Sequence, residues 1–279
     1  MLIALSALLF STMAVLARTL TGVLPAAQIS AYRFTIGLLG TAVLLLAQRK
    51  RPVFRKPWLL LLRGGLGGTA AFLYFYAIEK AGVGPATMLN YISPVYAAVF
   101  AVVFLKERSV PLHWLGLVFA TAGGLMVTAA QTTFDSPFYL SHAAWAGLAS
   151  GILGGAAMTT VKALRDEDTD PSEIFIAFCG VGLAVVLLTP GPAWKSVRWD
   201  IAPTLAGIGI LSMGAQLLFT YALRFTSTAV GTATTQLVPV LVWVLAVAFL
   251  HETFTVFTAA GATLCIAGVL LAALSSARR

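Results

Sequence analysis

Charge is what this chain has least of. Only 10% of its 279 residues are charged and 59% are hydrophobic, whereas soluble domains carry about 25% charged residues. So few charges cannot clothe a water-facing surface of this length, so lipid must be the main solvent. Cysteine is nearly absent too. Cys179 and Cys265 are the two that occur; both fall inside apolar runs, without CxxC spacing, and read as small buried apolar residues. The apolar start from Leu2 lacks the charged leader region of a signal peptide, and a retained first helix is expected. There is no HExxH, no pair of carboxylates deep in an apolar run and no nucleophile–base set that can be placed together. An enzyme is therefore not expected, nor any metal or cofactor. The acids, Glu79, Glu107, Asp135, Asp166, Glu167, Asp168, Asp170, Glu173, Asp200 and Glu252, all sit in loops or at the ends of apolar runs. Proton-coupled pumps usually need an ionisable group deep in the membrane, so facilitated, gradient-driven movement of solute is the expectation.

What is abundant is unbroken apolar sequence, with a mean hydropathy of +0.92. A membrane-spanning helix needs about 20 apolar residues. Turn and charge punctuation delimits ten such runs, at 2–20, 27–47, 59–79, 84–105, 112–130, 143–163, 173–190, 202–223, 229–250 and 256–275. The runs are continuous, not alternating, which excludes a transmembrane β-barrel. The net charge of +8 invites a nucleic-acid reading, but the cations sit between the spans, where the positive-inside rule places them. With the N-terminus inside, 13 of the 18 cations fall on the inner side and 5 (Arg18, Arg33, Lys80, Lys195 and Arg198) on the outer; the cluster Arg49, Lys50, Arg51, Arg55 and Lys56 dominates. Both termini are expected in the cytoplasm and the protein in the inner (cytoplasmic) membrane, with no nucleic-acid partner.

Sliding the chain on itself by 145 residues brings Tyr76-Ala77 onto Tyr221-Ala222, Thr87 onto Thr232, Pro94-Val95 onto Pro239-Val240, Glu107 onto Glu252 and Gly116 onto Gly261. Ile29 and Gly37 likewise fall on Ile174 and Gly182. Shared Leu and Val arise by chance in apolar sequence; matched Tyr, Pro, Glu and Gly do not. The chain reads as two related halves, 1–132 and 140–279. Each holds five spans, an odd number, so the second enters the membrane inverted, the construction of many secondary transporters with a site near the midplane between halves. The expected fold is thus an all-α integral membrane protein of ten transmembrane helices, in two inverted five-helix repeats around a central cavity.

Candidate binding residues lie on the fourth and ninth spans. Thr87, Tyr91 and Pro94 share one helical face at i, i+4 and i+7, and the offset repeats the stripe as Thr232, Gln236 and Pro239. Polar groups facing lipid are costly, so the stripes either line a cavity or bond back to their own helices; Asn90, Thr234 and Thr235 are neighbours. Proline removes a backbone donor and bends a helix, which makes Pro94 and Pro239 candidate hinges. Phe72, Tyr74, Phe75 and Tyr76 on the third span, and Gln216, Phe219 and Tyr221 on the eighth, would serve as an aromatic wall or as packing. Arg33 either functions within the membrane or snorkels to its surface. Glu107 and Glu252, at opposite ends of the two stripes, are either interfacial charges beside Lys106, Arg108 and His251 or elements of a gate. Small-residue ladders, Gly64/Gly68 and Gly147/Gly151/Gly155, fit close helix packing within one bundle, and demand no partner chain beyond a monomer.

The stretch from Tyr76 to Val127, with Pro94-Val95, Phe104-Leu105-Lys106-Glu107-Arg108, Gly116 and Gly123-Gly124, resembles an EamA domain. The copy around Pro239, Leu250-His251-Glu252 and Gly261 resembles a second, and Tyr32-Arg33-Phe34 is similar to that domain's second-helix arginine. The resemblance implies the drug/metabolite transporter superfamily and, within it, similarity to bacterial exporters of amino acids, aromatic ones included. Export of amphipathic drugs is the alternative it leaves open; a non-transporting membrane enzyme or structural bundle is the reading it leaves least room for. The second copy departs from the pattern at His251, and Arg33 falls on Phe178 at the offset, so the two halves are not expected to play equal roles.

Overall fold

A computed structural model describes all residues except 21–22, 82, 109, 131–141, 190–193, 251–254 and 277–279. Among the described residues twelve α-helices follow one another: α1 Leu2–Thr19, α2 Ala26–Ala47, α3 Pro57–Ala81, α4 Val83–Asn90, α5 Ser93–Phe104, α6 Pro111–Ala130, α7 His142–Asp166, α8 Pro171–Leu188, α9 Ala202–Ala222, α10 Thr228–Thr235, α11 Leu237–Leu250 and α12 Val256–Ser276. Eight helical runs are long and apolar enough to cross a bilayer; Leu2–Ala17 and Ser93–Phe104 are shorter apolar helices. Many large apolar side chains face outward, among them Leu39, Leu46, Trp58, Phe104, Leu188 and Phe249, as a lipid-facing surface requires. The protein is an all-α, multi-pass membrane protein.

Where ten continuous spans were expected, the fourth and ninth are each broken in two. The first break falls at Tyr91–Ile92, between α4 and α5, and the second at Gln236, between α10 and α11. Proline is the cause in both. Pro94, in the first turn of α5, has no N–H to give the Asn90 carbonyl. Pro239, on the third residue of α11, has none for Thr235. The two breaks lie at positions the 145-residue offset superposes.

Contacts between the halves come in reciprocal pairs. A Cβ on Gly116 would sit 2.7 Å from the Gly268 carbonyl, and one on Gly261 would sit 3.0 Å from that of Gly123; the offset turns the first contact into the second. The same holds where a Cβ on Gly37 would meet Cys179 Sγ at 3.0 Å and one on Gly182 would meet Phe34 at 2.9 Å. Only a two-fold relation maps contacts onto themselves this way. Even the loops obey it. Gln28 takes the backbone N–H of Lys195 and donates to its carbonyl (2.9 and 2.7 Å); Glu173, its offset partner, accepts from Val53 N (2.9 Å). Each half thus pins a loop of the other. The α6–α12 seam is the most extensive helix pairing among the described residues, because glycine lets backbones touch in a solvent that offers no hydrophobic drive for association.

A methyl group at Gly123 would lie 2.3 Å from Cys265 N, while one at Gly65 meets nothing within 4 Å. Gly123→Ala is expected to destabilise the purified protein by about 1–3 kcal/mol and Gly65→Ala to leave it unchanged or improve it by about 0.5–1 kcal/mol. Thermal melts of the two variants compared with the parent test this; equal melting temperatures would refute the seam.

Candidate functional site

The two helix breaks touch. Gln236 Nε2 donates to the Tyr91 carbonyl at 2.9 Å, across a separation of 145 residues, the repeat offset itself. Residues related by a two-fold and in contact must lie beside its axis, so the pseudo-symmetry axis runs through this hydrogen bond. A carbonyl released by a broken helix inside lipid needs a donor, and the side chain from the opposite break supplies it. Gln236 Nε2 also reaches Thr121 Oγ1 on α6 (3.0 Å), and its backbone carbonyl accepts from Cys265 on α12 (3.1 Å). The α6–α12 seam therefore grips the ninth-span break from both sides.

The two polar stripes then part company. Thr232 and Gln236 are wholly buried. The Thr232 hydroxyl donates to Thr228 O (2.8 Å) and lies 3.5 Å from the Pro94 carbonyl, so α10 is sealed against α5. Of the two readings left open by the sequence, Thr232 and Gln236 follow the packing one, bonding within α10 and across to the fourth span. Their counterparts stay accessible. Thr87, Asn90 and Tyr91 are half-buried. Thr87 Oγ1 bonds to the Tyr74 hydroxyl on α3 (2.7 Å), and Asn90 Nδ2 donates to Ser150 Oγ on α7 (3.1 Å). Thr87 does not reach Pro239, the mirror image of the Thr232–Pro94 contact. Likewise α5 packs on α10, whereas α4 and α11, the corresponding pair, barely meet among the described residues. The bundle is closed on the side of α5 and α10, the end bearing Arg49 to Lys56, and is not closed in the same way at the far end.

Glu107 secures that closed side. Lys106 adopts a left-handed backbone (φ 53°) that folds the chain back, so that Glu107 N reaches the Ala101 carbonyl (3.2 Å). The carboxylate then accepts from Thr228 N (3.0 and 3.2 Å) and from Thr228 Oγ1 (2.8 Å). It sits on the first turn of α10, where unpaired N–H groups and the helix dipole favour an anion. A solvated interfacial charge does not describe this arrangement. Glu252 and His251 lie outside the described residues.

Tyr76 is half-buried and packs beside the Ala77, Ala86 and Ala146 cluster. Tyr221 stands apart from the other candidates. It is half-exposed at the basic end, edge-on to Phe225 with centroids 5.4 Å apart, and lines a cavity of about 570 Å³ with Gln48, Lys50, Arg165 and Asp170. Its aromatic companion Phe219 is buried in the apolar cluster of Ile3, Leu164 and Leu223.

Arg33 does not snorkel. Its Nε donates to Ser212 Oγ on α9 at 2.6 Å, which turns the guanidinium inward. A second arginine was hidden by its place in the sequence. Arg63, counted with the inner-side cations, lies in the second turn of α3; it is 5% exposed, and its guanidinium carbon stands 4.4 Å over the Phe178 ring. The signal was present in its flanks, Leu59 to Leu62 and Gly64 to Gly68, apolar on both sides.

Among proteins of known name, the human solute carrier family 35 member G1 is 25% identical over 274 residues, covering 94% of this chain and 74% of that protein. The pseudopaline exporter CntI of Pseudomonas aeruginosa is 30% identical over 84% of this chain and 81% of its own length. The aromatic amino acid exporter YddG of Ancylobacter novellus is 29% identical over 76% and 83%. A solved crystal structure superposes on 100% of this chain and 98% of its own with a TM-score of 0.82; at 24% identity that likeness speaks for the fold alone. The model of the EamA-like transporter family matches residues 1–129 and again 141–274, and the chain belongs to that family.

Proposed function

We propose that this protein exports amino acids or similar small metabolites across the cytoplasmic membrane by alternating access, with both termini in the cytoplasm. The observation that carries the reading is the one-sided closure around a two-fold axis: equivalent broken helices meet on the side of α5 and α10 and part on the side of α4 and α11. Exchanging which pair meets would turn the access path from one face of the membrane to the other. Similarity to CntI and YddG, exporters of pseudopaline and of aromatic amino acids, favours amino-acid-like cargo. One chain carries both halves, so a monomer suffices.

In this reading Thr87, Asn90 and Tyr91, with Tyr74 and Tyr76 behind them, face the substrate in the open state. Thr232 and Gln236 form the closed contact, and Pro94 and Pro239 mark the hinges. Glu107 latches the cytoplasmic side. A bend already present in each broken helix needs no intact helical hydrogen bond to be ruptured as it flexes.

Counterflow in proteoliposomes with a panel of labelled amino acids is expected to show saturable exchange for at least one of them. Tyr91→Ala should lower kcat/KM about tenfold, the scale of one lost polar contact. No flux for any amino acid, together with saturable flux of an amphipathic drug, would replace this reading with drug export.

The latch has its own measurement. A cysteine introduced at Thr234, on α10, is expected to label slowly from the cytoplasmic side; Cys179 and Cys265 are buried and give a quiet background. Adding Glu107→Ala should speed that labelling about tenfold, the population shift expected from losing charge-assisted hydrogen bonds. An unchanged rate would leave Glu107 as a turn-fixing residue only.

A further inference from the structure

The first half carries two arginines within its spans, and among the described residues no carboxylate answers them. Arg33 Nε is held by the neutral hydroxyl of Ser212, and its guanidinium carbon lies 6.0 Å from the Phe34 ring. Arg63 stacks on Phe178, and its buried Nε has no hydrogen-bond partner. Among the described residues no carboxylate pairs with either: the ion pairs join Lys50, Lys56, Lys162, Arg198 and Arg224 to acids in the loops or at helix ends. The remaining neighbours within electrostatic reach of the Arg33 guanidinium are Cys179 and Tyr74; Arg63 shares Cys179 and feels Arg33 itself.

The two heads also converge in depth. Ser212 is the eleventh residue of α9, roughly 15 Å along that helix at 1.5 Å per residue. The Arg63 Nη1 lies 1.9 Å from where a Cβ on Gly67 would be. Its side chain therefore climbs one turn along α3, to roughly 15 Å from that helix's start. Gly67 is what gives the guanidinium this space. Each guanidinium thus lies about midway along the helix it reaches, α9 for Arg33 and α3 for Arg63, with Arg33 keeping accessible surface and Arg63 buried.

Unpaired cations at this depth cost several kcal/mol each, and like charges add to that. Packing does not need them, since the offset partner of Arg33 is Phe178, an apolar residue in the same kind of helix contact. We propose that Arg33, with Arg63 supplying positive potential behind it, forms a subsite for the carboxylate of the transported solute, while Tyr74, Thr87 and Tyr91 face its remaining polar groups. This deepens the transport reading above and rests on it for the identity of the ligand, not for the existence of the anion subsite. Arginine suits the task because its planar fork grips a carboxylate through two parallel hydrogen bonds, and the free edge of Arg33 is opposite the Nε already bound to Ser212.

The probe is benzoate, a carboxylate on an apolar ring, compared with benzyl alcohol and benzylamine of the same shape and with sodium chloride at equal ionic strength. In thermal melts of the purified protein, benzoate is expected to raise the melting temperature in a saturable manner, and the other three are not. Arg33→Gln should weaken the apparent benzoate affinity about tenfold or more. Arg33→Lys, which keeps the charge and loses the fork, should fall between the two and guards against a glutamine variant that does not fold. A benzoate shift missing from the parent protein, matched by benzyl alcohol or chloride, or undiminished in both variants, overturns the subsite. Saturable, Arg33-dependent benzoate binding in a protein that exchanges no amino acid upholds the subsite and overturns the amino-acid reading instead.

Discussion

A broken helix in lipid leaves carbonyls that water cannot reach, and the rest of this structure is arranged around finding them donors. Tyr91 and Gln236 solve the problem for each other across the pseudo-two-fold axis. That single hydrogen bond ties the fourth span to the ninth and sets the depth at which the halves cross. It also fixes why the α6–α12 seam must be so close. Thr121 and Cys265 reach Gln236 from either side, and they can do so only because Gly116, Gly123, Gly261 and Gly268 let two backbones meet.

On that symmetric frame the functional content lies in the departures from symmetry. The seal between α5 and α10 has three parts: the Thr232–Pro94 contact, the capping of Thr228 by Glu107 and the burial of Gln236. Their counterparts on the other side are a threonine bonded to Tyr74 and a half-buried Tyr91. Two copies of one sequence in two arrangements are what a two-state device looks like when caught in one state. The energetic demand on such a device is that its two closures differ little in free energy, and hydrogen bonds to helix ends, each worth about 0.5–3 kcal/mol net, are of the right size to make and break.

Much of this was legible in the sequence, and for physical reasons. Apolar runs of bilayer length report spans directly, and a 145-residue offset that superposes Tyr, Pro, Glu and Gly reports duplication, because those residue types are kept for geometry and not for hydropathy. The odd span count then gives inversion. What the sequence could not carry was which copy of a repeated residue faces a path and which is buried. Thr232 and Gln236 look identical in role to Thr87 and Tyr91 until the helices are assembled, and only the asymmetric closure separates them. Glu107 had its position but not its partner, since Thr228 lies 121 residues away. Arg63 was obscured by its nearness to the basic cluster at 49–56; an arginine one turn inside a helix reads as a loop cation unless the helix boundary is known. Tyr221 matched Tyr76 at the offset, but the sequence did not show that it stands beside Phe225 at the basic end.

Fusing two inverted copies into one chain has a consequence for the cargo. Had the halves remained identical and separate, every group lining the axis would appear twice, and such a passage could hold only a ligand indifferent to its own orientation. Here an arginine in one half stands where the other has Phe178, and the Tyr74 hydroxyl on α3 stands where α9 has Phe219. Divergence after duplication lifts that restriction: two halves that differ at equivalent places can tell one end of a solute from the other.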